Sequence, residues 1–152
     1  MINPDYITSS DWLNTGLRLC LALFIGAIIG LERQIKNKPA GLRTHMLVSL
    51  GSSVFTLITI QTGGTQLSAD AISRVVQGIA AGVGFLGAGE ILRQSSQSST
   101  SPEVHGLTSA AAIWVSAALG IAAGCGLWQL GLMGAILTVI ILHIFKRLEK
   151  LN

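Results

Sequence analysis

Apolar stretches separated by short polar segments follow one another through most of the chain. Five of them are close to the length of about 20 residues with which an α-helix crosses the hydrocarbon core of a bilayer. They predict transmembrane helices at residues 14–31, 44–60, 71–92, 107–125 and 127–145. The predicted fold class is therefore all-α, a polytopic membrane bundle of five transmembrane helices.

The third stretch, residues 71–92, is rich in glycine and nearly free of charge between Arg74 and Glu90. Hydrocarbon supplies no hydrophobic force between helices, so helices with small residues associate by close van der Waals contact. This stretch is therefore predicted to be the central helix of the bundle. It also contains the pattern G-x-G-x-x-G, but a dinucleotide site needs a strand before the glycines. Because no strand is predicted there, helix packing is the favoured explanation.

Glycines four residues apart occur in three of the predicted helices. Such spacing puts them on one helical face and lets a second helix approach closely. The faces predict association with other membrane helices, including those of a second copy of the chain. The glycines predicted to pack helices are Gly26, Gly30, Gly78, Gly82, Gly84, Gly87, Gly120 and Gly124.

The amount and position of charge also favour a membrane protein. Charged residues make up 11% of the chain, whereas soluble domains carry about 25%. Cytoplasmic loops are enriched in Lys and Arg, which predicts an outer N-terminus and a cytoplasmic C-terminus. Only Arg18 and Arg74 then lie on the outer side, and the inner side has Arg33, Lys36, Lys38, Arg43, Arg93, Lys146, Arg147 and Lys150. Because orientation explains the basic charge, nucleic acid is not expected as a partner.

The segments outside the bundle are predicted to be short. Residues 1–13 form an outer lead, residues 146–152 form a cytoplasmic basic tail, and no soluble C-terminal domain is predicted. Two cysteines, Cys20 and Cys125, are too few for a disulfide framework or a cysteine metal site. Each is interpreted as a packing residue.

Polar residues gather at the predicted inner ends of four helices. A carboxylate at the edge of hydrocarbon is costly unless it is paired or hydrated, so these residues are candidates for function. In a compact bundle they converge on a shallow inner vestibule. The alternative is that they are helix caps and snorkelling anchors, which suits Arg33 in particular. The candidates are Glu32, Arg33, Arg43, Thr44, His45, Glu90, Thr108 and Ser109.

Two further groups of polar residues follow helical spacing. On the second helix, hydroxyls either bond to neighbouring helices or line a wet cavity, and the first explanation is favoured. Thr44 is predicted to be the N-cap of that helix. The polar stripe of the second helix consists of His45, Ser49, Ser52, Thr56 and Thr59.

A second polar group, Asp70, Arg74 and Gln77, lies at the outer start of the third helix. Asp70 and Arg74 are spaced for an i,i+4 ion pair.

The supply of metal ligands and catalytic groups is small. Magnesium requires oxygen ligands, commonly one or two carboxylates with retained waters. Glu32 and Glu90 are the candidate carboxylates, so Mg²⁺ stays open as a ligand or substrate. No P-loop and no nucleophile with a base partner is found. The chain is therefore predicted to have no catalytic residues and no cofactor, and not to be an enzyme.

Four motifs resemble the successive signatures of the MgtC/SapB family of bacterial inner-membrane proteins. They are Gly26-Ala-Ile-Ile-Gly-Leu-Glu32-Arg33, Pro39-Ala-Gly-Leu-Arg43-Thr44-His45, Gly82-Val-Gly-Phe-Leu-Gly-Ala-Gly89, and Gly106-Leu-Thr108-Ser109-Ala-Ala with Trp114. The resemblance covers nearly the whole membrane part in the family's order. It implies a five-helix, multi-pass protein of the bacterial inner membrane that is linked to growth under low magnesium.

The resemblance leaves two functions open. The first hypothesis is a non-enzymatic protein that forms a homo-oligomer and regulates other membrane proteins, such as ATP synthase, by binding them through its glycine-rich faces. The rival is a small cation transporter or channel with a vestibule at Glu32, Arg43, His45 and Glu90. Glu90 stands where the family more often has an apolar residue, so the resemblance implies no role for it. Longer members append a soluble C-terminal domain, whose functions are not implied here.

Overall fold

The computed structural model describes residues 9–63, 69–96 and 105–145. Within these residues the chain forms five α-helices and no strand, which confirms the prediction of an all-α protein. The helices are α1 (Ser9–Ile35), α2 (Leu42–Gly63), α3 (Ala69–Ser96), α4 (Leu107–Gly124) and α5 (Trp128–Ile140). A π-helical turn, Ile141–Phe145, continues α5.

Helices α1 to α4 are each long and apolar enough to cross a bilayer. The fifth apolar helix, Trp128–His143, is shorter. At 1.5 Å per residue it measures about 24 Å, compared with a hydrocarbon core of about 30 Å. A complete crossing by α5 and the orientation of the chain ends therefore stay predictions. The predicted basic tail and most of the outer lead lie outside the described residues.

Helix α4, not α3, lies at the centre of the bundle. It packs against each of the other four helices, whereas α3 packs mainly against α4 and to a lesser extent against α2. In the most apolar part of each helix, 56% of the α4 residues are buried but only 17% of the α3 residues. The prediction that residues 71–92 form the central helix was wrong. Small residues permit close approach but do not choose the neighbour, and α4 carries Ala, Ser and Gly on several faces at once.

The connection between α1 and α2 begins later than the apolar pattern predicts. Helix α1 continues to Ile35, so the Glu32 and Arg33 side chains project from a regular helix and not from a loop. The turn after Ile35 contains Asn37, which has a φ of 51°. The next amide, that of Lys38, donates to the Arg33 carbonyl oxygen at 3.0 Å. This left-handed residue with a backward amide bond is a common helix ending.

The predicted cap of the second helix was wrong, because α2 begins at Leu42 and Thr44 lies inside its first turn. The amide of Leu42 has a side-chain partner, the Oε1 atom of Gln34, at 3.4 Å. The end of α1 therefore helps to satisfy the start of α2, and both helices are held close together at this end of the bundle.

Glycines on α1 and α4 bring both helices into backbone contact with α2. A Cβ atom built on Gly26 would lie 2.6 Å from the carbonyl oxygen of His45, and one built on Gly30 would lie 2.7 Å from Cα of Leu42. On α4, a Cβ atom built on Gly124 would lie 2.9 Å from the Ser53 carbonyl oxygen. Helix α2 is therefore seated between α1 and α4, with no room for side chains at these crossings.

The tight turn from α4 to α5 is built around Gly126, which has a φ of 79°. The amide of Leu127 donates to the Ala122 carbonyl oxygen at 2.9 Å, which closes the helix end. Arg18 of α1 donates from Nη1 to the Gly124 carbonyl oxygen at 2.9 Å. A cation at a helix C-terminus also complements the helix dipole. Burial raises the pKa of the Cys125 thiol in this turn, an effect that nearby Arg18 partly offsets.

Gly126→Ala is expected to destabilise the protein by about 1–2 kcal/mol, because a left-handed conformation places Cβ too close to the following carbonyl oxygen. A Cβ atom there would also lie 3.1 Å from the guanidinium carbon of Arg18. Thermal unfolding in detergent measures the effect. Gly16→Ala on α1, with no atom within 4 Å of its Cβ position, is the control. Equal melting temperatures for the two variants would contradict this account of the turn.

Candidate functional site

A band of buried polar side chains runs through the junction of α1, α2 and α4. We call it the polar core. Because α1 and α4 meet α2 at glycines, short polar side chains line the junction of the three helices. The polar core consists of Glu32, Arg33, His45, Ser49, Ser52, Ser53, Thr56, Ser109 and Ser116.

Glu32 and Arg33 form the end of the polar core nearest the α1–α2 connection. The Nη2 atom of Arg33 donates to the hydroxyl of Ser109 on α4 at 2.8 Å. The Nη1 atom of Arg33 lies 4.0 Å from the Oε2 atom of Glu32, an ion pair too long for a direct hydrogen bond. Only 3% of the surface of Arg33 is exposed. Arg33 is therefore not a snorkelling anchor in this structure but a buried charge that joins α1 to α4.

His45 occupies the middle of the polar core and is fully buried. Its Nδ1 atom lies 2.8 Å from the hydroxyl oxygen of Ser116 on α4. One turn further along α2, the Ser49 hydroxyl donates to the carbonyl oxygen of Ala22 on α1 at 2.7 Å. The Thr56 hydroxyl donates within its own helix, to the Ser52 carbonyl oxygen at 2.8 Å. The polar stripe of α2 thus makes contacts of both kinds, across helices and within one.

Several buried atoms of the polar core have no hydrogen-bond partner in the part of the chain that the structure describes. Each such atom costs about 1–3 kcal/mol, so five would cost about 5–15 kcal/mol, which equals the whole stability of a typical domain. The polar core is therefore incomplete as a set of protein–protein hydrogen bonds. Among the described residues the atoms are Glu32 Oε1 and Oε2, Arg33 Nε, His45 Nε2 and Ser53 Oγ.

The residues predicted to share one vestibule do not all meet. Glu32, Arg33, His45 and Ser109 lie in the polar core, whereas Arg43 and Thr108 are exposed and Thr44 is half-buried. Glu90 is half-buried on α3, which is not one of the three helices around the polar core. A role for any of these residues stays a prediction. The outer-side residues Asp70, Arg74 and Gln77 are exposed at the start of α3.

The two candidate metal ligands, Glu32 and Glu90, lie on different helices. Glu32 lies beside Arg33 on α1, and Glu90 lies on α3. No group of three or more His, Cys, Asp or Glu side chains that could hold a metal ion occurs in the described parts of the chain. The geometry here offers one carboxylate next to a guanidinium, which differs from the all-oxygen coordination that Mg²⁺ requires.

Two members of the polar core, Ser116 and Ser53, were not predicted as site residues from the sequence. Ser116 contacts His45, and Ser53 is fully buried with a hydroxyl that has no hydrogen-bond partner among the described residues. A signal for Ser116 exists, since it lies seven residues from Ser109 and therefore on the same face of α4. Nothing in the spacing of α2 alone distinguishes Ser53 from an ordinary packing residue.

The glycines of α3 differ from those of α1 and α4. No atom lies within 4 Å of a Cβ atom built on Gly78, Gly82, Gly84 or Gly89, and all four glycines are exposed. We call Gly78, Gly82 and Gly89, together with the exposed Phe85, the open face, because their spacing puts them on one side of α3. Gly84 lies on another side of the helix, in the groove between α3 and α4. In contrast, Gly87 is buried and its Cβ position lies 3.3 Å from Cβ of Ala110. Helix α3 thus uses one glycine to pack on α4, and the described part of the chain leaves the others uncovered.

Comparison with known proteins identifies relatives over nearly the whole chain. It is 50% identical over 154 residues to Protein SrpB of Synechococcus elongatus, covering 99% of this chain and 85% of that protein. It is 40% identical over 136 residues to the Escherichia coli K12 protein named "Putative magnesium transporter YhiD", with coverage of 87% and 60% respectively. It is also 40% identical over 121 residues to Protein MgtC of Salmonella typhimurium LT2, with coverage of 80% and 48%.

The chain therefore spans most of the length of SrpB but only about half of YhiD and MgtC. No solved structure matches it. The sequence profile of the MgtC family matches residues 19–151, which include α2 to α5 and most of α1. Together with the apolar helices, this match confirms the multi-pass inner-membrane location predicted from the motifs. The chain belongs to the MgtC family.

Proposed function

We propose that this chain is a non-enzymatic inner-membrane protein of magnesium homeostasis that acts by binding other membrane proteins. The link to magnesium rests on its relatives, one of which has the name "Putative magnesium transporter YhiD". Binding is supported by the open face of α3, because helices associate in hydrocarbon where small residues allow backbones to meet. The other glycine pairs already contact α2 and are unavailable for this purpose.

The open face carries the proposal because it lies within a helix that is long and apolar enough to cross the membrane. Gly78 and Gly82 form a pair four residues apart, with Phe85 exposed one turn further on. A partner helix, from a second copy of the chain or from another membrane protein, would contact the backbone of α3 along this line. Larger side chains at the two glycines would hold the partner away.

Gly78→Leu with Gly82→Leu is expected to weaken self-association by about tenfold or more, equivalent to about 1.4 kcal/mol. The measurement is energy transfer between donor- and acceptor-labelled copies in liposomes at several protein-to-lipid ratios. Gly51→Leu on α2 is the matched control, because its Cβ position also has no atom within 4 Å. Association that is unchanged in the double variant would contradict the role of the open face.

Other partners are tested with the same variants. ATP synthase, which the family resemblance puts forward, is sought by co-purification from native membranes with the tagged chain. The double variant at Gly78 and Gly82 is expected to lose any partner that binds at the open face, while the Gly51 variant retains it. A partner that is retained equally by both variants binds elsewhere.

A cation transporter is the second candidate, favoured by the buried carboxylate of Glu32, whose two oxygens have no hydrogen-bond partner in residues 9–63, 69–96 and 105–145. If Glu32 lies on a cation pathway, Glu32→Gln should abolish uptake of Mg²⁺ into proteoliposomes measured with an entrapped indicator. Gln129→Ala is the control, since Gln129 is exposed on α5 and belongs neither to the polar core nor to the predicted vestibule. Uptake no faster than in empty vesicles would exclude this candidate.

A further inference from the structure

The unpartnered buried atoms of the described residues all belong to the polar core. They come from Glu32 and Arg33 on α1 and from His45 and Ser53 on α2, whose side chains are all at least nine-tenths buried. Proposed binding at the open face of α3 makes no use of them. A buried polar atom without a protein partner is commonly satisfied by an internal water. The hydrogen-bonding chemistry of these side chains decides which ligand fits the polar core.

The chemistry of these atoms restricts the ligand. The two oxygens of Glu32 accept hydrogen bonds, the Nε atom of Arg33 only donates, and the Ser53 hydroxyl does both. A ligand for the whole set must therefore donate and accept. A metal cation would leave the arginine unsatisfied and would be repelled by its permanent charge, and an anion would be repelled by Glu32. Water is neutral and forms up to four hydrogen bonds of both kinds.

The arrangement of the atoms indicates several waters and not one. His45 and Ser53 lie eight residues apart on α2, which is a rise of about 12 Å along the helix. Glu32 and Arg33 lie at the C-terminal end of α1, next to the connection to α2. That connection carries Lys36 and Lys38, as expected of a segment outside the hydrocarbon. The polar core thus reaches from this end of the bundle into its interior.

We propose that the polar core holds a chain of water molecules that exchanges with the aqueous phase at the α1–α2 connection and gives buried His45 access to water and protons. The imidazole Nε2 atom contacts this water, while Nδ1 is held by Ser116. Because Arg33 stands beside Glu32, the core favours water over Mg²⁺, so this proposal and the cation transporter are mutually exclusive. The proposal is independent of partner binding by α3.

The test is hydroxyl-radical labelling by X-ray radiolysis of the full-length wild-type protein in lipid nanodiscs, after rapid mixing with ¹⁸O-labelled water. Radicals form from water in place, so a buried side chain is labelled only where water reaches it. Tandem mass spectrometry separates His45 from its neighbour Met46. The controls are Ile25 and Ile29, which are as fully buried as His45 but belong to the apolar cluster between α1, α4 and α5.

His45 is expected to be oxidised at least about tenfold faster than Ile25 and Ile29, after correction for intrinsic reactivity, because its site contains water. After mixing, the hydroxyl added to the His45 ring is expected to carry ¹⁸O, because this water exchanges with the aqueous phase. Labelling of His45 as slow as that of the two isoleucines would overturn the proposal. The experiment is repeated with millimolar Mg²⁺ against a sodium control of equal ionic strength. An unchanged rate agrees with a water site, and suppression by Mg²⁺ alone would overturn the proposal in favour of a cation site.

Discussion

Gly120→Ala is expected to destabilise the bundle by about 3 kcal/mol or more, at the upper end of overpacking effects. A Cβ atom at this position of α4 would lie 2.8 Å from Cα of Ser49 and closer still to its carbonyl oxygen. These are backbone atoms of α2, which cannot rotate away as a side chain can. The two helices must therefore separate. Unfolding in detergent, followed by tryptophan fluorescence, measures the change in free energy.

Gly51→Ala is the matched control for this prediction. Gly51 lies on α2 with no atom within 4 Å of its Cβ position. The substitution is expected to leave the free energy of unfolding unchanged or to raise it by up to about 1 kcal/mol, because alanine favours a helix more than glycine does. If the two variants unfolded alike, the backbone contact between α2 and α4 would be wrong.

Arg33→Ala is expected to destabilise the protein by about 3–5 kcal/mol, because it removes one partner of a buried ion pair and leaves the other charge uncompensated. The Ser109 hydroxyl also loses its donor at 2.8 Å. Chemical unfolding in detergent at constant pH measures the effect. Arg43→Ala is the matched control, and because Arg43 is exposed, its change should stay within about 0.5 kcal/mol.

A double variant distinguishes the loss of the charge pair from the loss of packing. Glu32→Leu with Arg33→Met removes both charges and keeps apolar volume, and replacements of this kind are often neutral or stabilising. It should therefore be more stable than Arg33→Ala alone. If the double variant were the less stable of the two, the pair at 4.0 Å would contribute net stability of its own.

The glycine pattern predicted helix packing but not the choice of neighbour. All three glycine pairs have the same spacing in the sequence. In the structure Gly26 and Gly120 meet α2, whereas Gly78 and Gly82 meet no other part of the described chain. A small residue removes a steric barrier wherever it occurs. Which helix then approaches depends on the shapes of all five helices together.

The polar residues show the same difference between what the sequence predicts and what the tertiary structure decides. Their position near the helix ends could be predicted from hydropathy, but their burial could not. Arg33 and Arg43 both follow apolar segments or breakers in a basic connection, yet only Arg33 is buried. Its partner Ser109 is 76 residues away in the chain. Local pattern carries no information about such a distant partner.

The sequence alone determined that the chain is helical, that it lies in a membrane, roughly where each helix runs, and to which family it belongs. These properties depend on hydropathy, on spacing within a few residues, and on motifs, all of which can be read along one segment at a time. Only the tertiary structure decided that α4 is central, that the open face of α3 is uncovered, and that Glu32, Arg33 and His45 join hydroxyls in one polar core. Each of these depends on contacts between helices far apart in the chain, such as Arg18 with Gly124, 106 residues away, and such contacts form only when all the helices pack together.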